Sequence, residues 1–251
     1  MKPVWFSGLH AVESILRHRP EAVLEMYVQE SRDERGEERL AQVRGAAEAF
    51  GLRPQRVGRD TLDKHAGPQH QGVAVRARPR VPGDEVGLLR HLEQRGGTPL
   101  VLVLDGVTDP HNLGACLRTA DAVGVDAVVV PRRNACGLTP VACRSAVGAA
   151  ETVPYFEINN LSRTLAQLKE AGLWIAGTGR SEQSQSLHEF VADVPLAVVM
   201  GAEGDGMRRL TREHCDYLLE IPMVGTVESL NVSVASAVVL YHLAAPRLAN
   251  R

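Results

Sequence analysis

Long hydrophobic runs are the first thing missing from this chain of 251 residues. No uninterrupted apolar stretch approaches the ~18 residues of a membrane span, and the nearest, Leu230 to Ala245, is broken by Asn231, Ser233, Ser236 and His242. The opening residues carry one lysine and lack the apolar core of about 7–15 residues that marks a secretory signal, so a cytoplasmic protein with no membrane partner is expected. Cysteine is scarce: Cys116, Cys136, Cys143 and Cys215 make neither a disulfide framework nor a C-x-x-C pair, and with His111 and His214 they offer no ligand spacing, so no metal is expected. Aromatics are 4% of the chain, and lysine is confined to Lys2, Lys64 and Lys169. A formal charge of -2 gives no overall nucleic-acid signature.

What charge there is lies unevenly. Residues 51–80 hold Arg53, Arg56, Arg59, Lys64, Arg76, Arg78 and Arg80 against Asp60 and Asp63, which reads either as a basic RNA-facing patch or as an ordinary solvated surface. Residues 1–78 read as a small mixed α/β domain, with helices around 10–17, 34–50 and 60–65 and strands at 23–28, 55–57 and 73–78. Pro79, Pro82, Gly83 and Gly96-Gly97 mark residues 79–98 as a linker carrying a short helix at 86–94. From residue 99 to 251, apolar strands (100–104, 127–130, 155–157, 174–177, 196–200, 217–221) alternate with helices (112–123, 139–149, 161–170, 208–214, 230–244). That order implies a parallel α/β sheet.

Three loops depart from what a sheet core needs, and each follows a strand. Leu100 to Leu104 is apolar throughout, as in a strand covered on both faces, and Asp105-Gly-Val-Thr-Asp109-Pro-His-Asn112-Leu-Gly114-Ala-Cys-Leu-Arg118 follows it. Asn112 opens a helix, and Arg118, six residues on, lies about 120° around its axis. The second loop, Met200-Gly201-Ala-Glu203-Gly204-Asp-Gly206, sets glycines around a carboxylate but lacks the glycine order of a dinucleotide fingerprint. The third runs Ile221-Pro222-Met223-Val-Gly225-Thr-Val-Glu228-Ser229-Leu230-Asn231-Val-Ser233. Ser229 reads as a plain helix cap or as a site residue, and Glu203 and Asn231 as loop stabilisers or as catalytic groups. Asn231, Ser233 and Ser236, persisting into an apolar helix, imply buried partners.

In order, these segments resemble the three signature motifs of the SpoU (TrmH-type) RNA ribose 2'-O-methyltransferases of the SPOUT superfamily, over about residues 98–245. Ser7-Gly8-Leu-His10-Ala11-Val12-Glu13 and the block after it look like the L30-like RNA-binding domain of members that methylate a guanosine ribose of 23S rRNA. The resemblance implies a SPOUT-type parallel sheet with a C-terminal trefoil knot, preceded by a small L30e-like domain, in a homodimer whose interface completes the active site. It implies S-adenosylmethionine as methyl donor, held near Thr178, Gly179, Met200, Gly201, Ile221, Met223, Ser229 and Leu230. Catalytic roles fall on Asn112, Arg118, Glu203, Ser229 and Asn231. The substrate implied is 23S rRNA, or a large-subunit assembly particle, in its peptidyl-transferase region; another rRNA site or tRNA is the alternative. A non-enzymatic assembly factor on the same fold would keep RNA binding without methyl transfer.

Overall fold

The computed structural model describes residues 2–202 and 206–248, with the side chain of residue 248 excepted. Glu203 therefore lies outside the described residues. In chain order the elements are β1 (Val4–Ser7), α1 (Leu9–His18), β2 (Val23–Gln29), α2 (Glu30–Asp33), α3 (Glu38–Ala49), β3 (Gln55–Val57), α4 (Arg59–Ala66) and β4 (Val73–Ala77). Then come α5 (Glu85–Arg95), β5 (Leu100–Asp105), α6 (Pro110–Val123), β6 (Ala127–Pro131), α7 (Pro140–Ser145), α8 (Ala149–Thr152), β7 (Tyr155–Ile158) and α9 (Leu161–Glu170). The last are β8 (Trp174–Thr178), β9 (Gln185–Ser186), β10 (Leu196–Gly201), α10 (Arg209–Glu213), β11 (Tyr217–Glu220) and α11 (Val232–Leu248). They form two compact units, residues 1–81 with 138–152, and residues 82–137 with 153–251.

The first unit is built on a four-stranded sheet, β1-β4-β2-β3, antiparallel except for β2 with β3. Alternation along the strands buries Phe6, Met26, Val28, Val75 and Ala77, and the apolar stripes of α1 (Val12, Ile15, Leu16) and α3 (Leu40, Val43) are buried with them. The helix expected over 34–50 starts only at Glu38, because the chain turns between a separate short helix, α2, and α3 with Gly36 at φ 66°. That expected over 139–149 is likewise broken, with Val147 and Gly148 at φ 54° and 98°. Residues 138–152, expected within the second domain, group with the first unit: the Ser14 hydroxyl donates to the Gly148 carbonyl at 3.0 Å, and Arg19 pairs with Glu151 at 2.6 Å. The basic block at 51–80 is partly neutralised, since Arg56, Arg59 and Arg76 pair with Asp33, Asp63 and Glu25 at 2.8, 3.5 and 2.6 Å.

The second unit carries a seven-stranded, all-parallel sheet in the order β7-β6-β5-β10-β8-β11-β9. Every residue of β5 and β6 is buried, which explains strands that are apolar without alternation. On one face Val101, Val103, Val129, Ile175 and Val199 pack with Leu165 and Leu168 of α9 and with Leu88 and Leu92 of α5. Residues 79–98 are thus no simple linker: α5, capped by Asp84 accepting from Gly87 N at 2.8 Å, supplies core to this unit. On the other face α6 and α11 pack against each other. The register sets Gly201 beside Asp105 and Val199 beside Gly177, so β5, β10 and β8 end level with one another. Among the described residues no helix is long and apolar enough to cross a membrane.

Candidate functional site

At the end of β5 the chain turns through Gly106, at φ 87°, and the side chain of Asp109 caps α6 by accepting from His111 N at 2.9 Å. With Pro110 at the first helical position, α6 opens two residues earlier than the sequence suggested and Asn112 falls in its first turn, 9% exposed. Arg118 points to solvent with no ion pair or hydrogen bond among the described residues.

Asp105 is 1% exposed and ties this loop to the next. Its Oδ2 accepts from Thr211 Oγ1 at 2.8 Å and from Arg208 N at 3.2 Å, and Arg208 Nε lies 3.5 Å from its Oδ1. The segment after β10 is thereby fixed against the segment after β5. Gly201 closes β10 where Ala202 and Gly206 exchange two 3.1 Å backbone hydrogen bonds. A Cβ on Gly201 would lie 2.4 Å from Gly206 C and Met207 N, both backbone atoms, so only glycine lets the chain fold back here.

After β11, residues 221–231 cross to α11, which begins at Val232 rather than near Leu230. The cap is Asn231: its Oδ1 accepts from Ser233 N at 2.9 Å and Ser233 Oγ at 2.6 Å. Ser229 is therefore not the capping residue. Ser236, fully buried, donates to Val232 O at 2.7 Å and accepts from the Cys116 thiol of α6 at 3.5 Å, whereas Asn231 and Ser233, expected to be buried with it, are exposed and half-buried. The other end of Asn231 reaches α6: Nδ2 donates to Asn112 Oδ1 at 3.0 Å.

The segments after β8, β10 and β11 line a cavity of about 570 Å³ at the carboxyl ends of the strands. Thr178, Gly179, Met200, Gly201, Ile221, Met223, Ser229 and Leu230, the eight residues expected at a cofactor, all line it, together with Asn231. Asn112 touches this group through Asn231, whereas Arg118 is not on the cavity wall. The sequence reading missed Arg180, Glu220 and Glu228, which also line it; each is a charged residue one place from an expected contact, and that adjacency was the available signal. Thr178 Oγ1 donates to Val199 O at 3.0 Å, leaving backbone as the polar surface of that strand end. The wall combines apolar side chains, backbone exposed at glycines, two carboxylates and a guanidinium. Its size and donor set fit a nucleoside bearing a zwitterionic tail, as in S-adenosylmethionine.

Burial pushes the Cys116 and Cys215 thiols up to about 11, with the Asp216 carboxylate adding to the effect at Cys215, so neither is a thiolate nucleophile near neutrality. Among the described residues no group of three or more His, Cys, Asp or Glu side chains is disposed to hold a metal ion.

Residues 99–241 match the SpoU rRNA Methylase family, and residues 7–82 match the RNA 2'-O ribose methyltransferase substrate binding family. The chain is 53% identical over 237 residues to the 23S rRNA (guanosine-2'-O-)-methyltransferase RlmB of Bordetella pertussis, covering 94% of each protein. It is 49% identical over 243 residues to the protein of that name from Haemophilus influenzae, covering 96% of this chain and 97% of that one. Among solved structures, the SpoU methyltransferase AviRb from Streptomyces viridochromogenes in complex with AdoMet superposes with a TM-score of 0.78 at 21% identity. That match covers 98% of this chain and 91% of the other. The family match spans more than half of the chain and the relatives nearly all of it, and the second and third motif loops line one cavity to which Asn231 ties the first: this chain belongs to the SpoU rRNA methylase family.

Proposed function

We propose that this protein transfers a methyl group from S-adenosylmethionine to the ribose 2'-OH of a guanosine in 23S rRNA, in the peptidyl-transferase region. The observation that carries the reading is the 3.0 Å bond from Asn231 to Asn112, because Asn231 also lines the cavity and so fixes the first turn of α6 at the cavity's edge. The names of the RlmB relatives, near-complete in coverage, support the substrate.

The eight expected cofactor residues hold the donor in the cavity, largely through backbone groups. When bound, S-adenosylmethionine supplies a methyl group already activated on a sulfonium. A ribose hydroxyl is a poor nucleophile until it loses its proton, so the protein must stabilise the forming alkoxide. Arg118 does this while clamping a phosphate of the nucleotide; a guanidinium stays protonated, so it is not itself the base. Water, a phosphate oxygen or Glu203 takes the proton. Asn112, held by Asn231, orients the ribose, and Ser229 and Asn231 fix the junction between the cofactor and substrate sides. DNA, which has no 2'-OH, is rejected by the chemistry itself.

The working form is a homodimer in the cytoplasm, with a trefoil knot made by the segments around the cavity. Exposed Val234, Val238 and Tyr241 share one face of α11 at i, i+4, i+7 spacing, and Val224 and Val227 are exposed in the loop before it. Arg118 stands outside the cavity of its own chain, which a second copy would remedy. The test is ribose-methylation mapping of 23S rRNA from cells with and without the gene, and with Arg118→Ala restored. Loss of one 2'-O-methylguanosine, unrescued by the variant, is the expected result; persistence of every rRNA methylation sinks the substrate assignment and turns the search to tRNA.

A further inference from the structure

We propose that Trp5, Tyr27 and His65 of the first unit form a cup in which an unpaired base of the RNA stacks; the inference rests on the reading that this unit docks RNA. The chain has only two tryptophans, four tyrosines and four phenylalanines, so a cluster of rings outside the core is conspicuous. Phe6, next to Trp5, is buried on the face of the sheet that α1 covers. Strand alternation sends Trp5 and Tyr27 to the opposite face.

The register then decides what meets there. Trp5, Arg76 and Glu25 are aligned across β1, β4 and β2, and Ser7, Ala74 and Tyr27 across the same three strands two residues along. Ala74 presents only a methyl group, so the rings of Trp5 and Tyr27 meet above β4 with centroids 4.6 Å apart and planes tilted by 41°. His65, from α4, closes the third side at 5.0 Å from Trp5 and 5.8 Å from Tyr27, edge-on to the latter. Trp5 and Tyr27 are half-buried and His65 is exposed, whereas a cluster serving only as core would be closed from water.

The charge around the cup suits a nucleotide. Lys64 adjoins His65, Lys2 precedes β1 and Arg78 follows β4; none of the three makes an ion pair or side-chain hydrogen bond among the described residues. Aromatic faces take any base through its π surface while cations track the backbone on either side. An acidic peptide would use the cations but leave the ring faces unfilled.

Trp174→Phe leaves Trp5 as the sole tryptophan and therefore a direct reporter. The probe is a synthetic RNA hairpin with an unpaired adenine loop and a dye on its 5' end, so that anisotropy reports binding independently of Trp5 emission. The expected result is quenching of Trp5 in step with binding. Replacing the loop bases by abasic sites should abolish the quench and weaken binding about tenfold, the scale of one stacked base. His65→Ala, at an exposed position, should weaken binding several-fold with an unchanged unfolding temperature. Binding with full Trp5 emission, or equal quenching by a paired duplex of the same length, overturns the cup and leaves RNA docking standing. No anisotropy change at all removes the docking reading, and the cup with it.

Discussion

The two units solve opposite problems with the same kinds of residue. In the second, polar groups from distant segments are tied to buried partners: Asp105 holds Arg208 and Thr211, and Asn231 joins its own helix cap to Asn112. In the first, Arg76 pairs with Glu25 and Arg56 reaches down to the buried Asp33, while three cations beside an aromatic cluster make no ion pair or side-chain hydrogen bond among the described residues. Methyl transfer needs groups held to within tenths of an ångström, and burial provides that. Holding a large RNA needs reach and charge, which a solvated face provides.

The sharpest way to break this contrast is at glycine. Gly201→Ala pushes a Cβ into the backbone of Gly206 and Met207, so it should destabilise the second unit by ~2 kcal/mol or more and abolish methyl transfer; thermal unfolding and a labelled-methyl assay read both. Next in size, Arg118→Ala should lower kcat by about 100- to 1,000-fold, the scale of one lost charge-stabilising donor, while the unfolding temperature holds because the exposed side chain has no partner among the described residues. Asn231→Ala removes a cap and the Asn112 contact together, and should cost ~1–2 kcal/mol in denaturant titration as well as lowering kcat. Alkali should act on the second unit through its thiols. Cys116 and Cys215 are raised to about 11 when folded, so their contribution is complete below the ordinary thiol value near 9 and is lost as pH climbs toward 11. Melts across that window should slope downward, less so in Cys116→Ala. The smallest effect is a gain: Gly45→Ala, inside α3 with nothing within 4 Å of the new Cβ, should stabilise the first unit by ~0.5–1 kcal/mol.

Fully apolar strands followed by polar loops are legible in a sequence because burial on both faces leaves no room for alternation, and β5, β6 and β10 lie where that pattern places them. Shorter features were not. The two-residue β9 is too brief to show a period, and the breaks at Gly36 and at Val147-Gly148 depend on backbone angles that composition does not announce. At the site, the motif residues around the cavity could be named, but not which of Ser229 and Asn231 caps α11. Either can do so chemically, and only the position of the first helical turn decides in favour of Asn231. The role of Asp105 was equally hidden, since its partners Arg208 and Thr211 lie more than 100 residues along the chain. That 79–98 contributes core depended on Leu88 and Leu92 finding α9, a tertiary fact.

The position of β10 has a consequence for synthesis. It lies between β5 and β8 in the sheet, yet it is made after both. Until residue 201 has left the ribosome, the second unit has one part-sheet, β7-β6-β5, and a lone strand, β8, whose other neighbour β11 is made later still; the edges at Leu100 to Leu104 and Trp174 to Thr178 have no strand between them. The first of these is an unbroken run of aliphatic residues, the kind of bare edge that recruits the wrong chain. A nascent protein of this order must therefore be sheltered, or must translate its middle third quickly, and slowing the ribosome between codons 105 and 196 should lower soluble yield more than slowing it elsewhere.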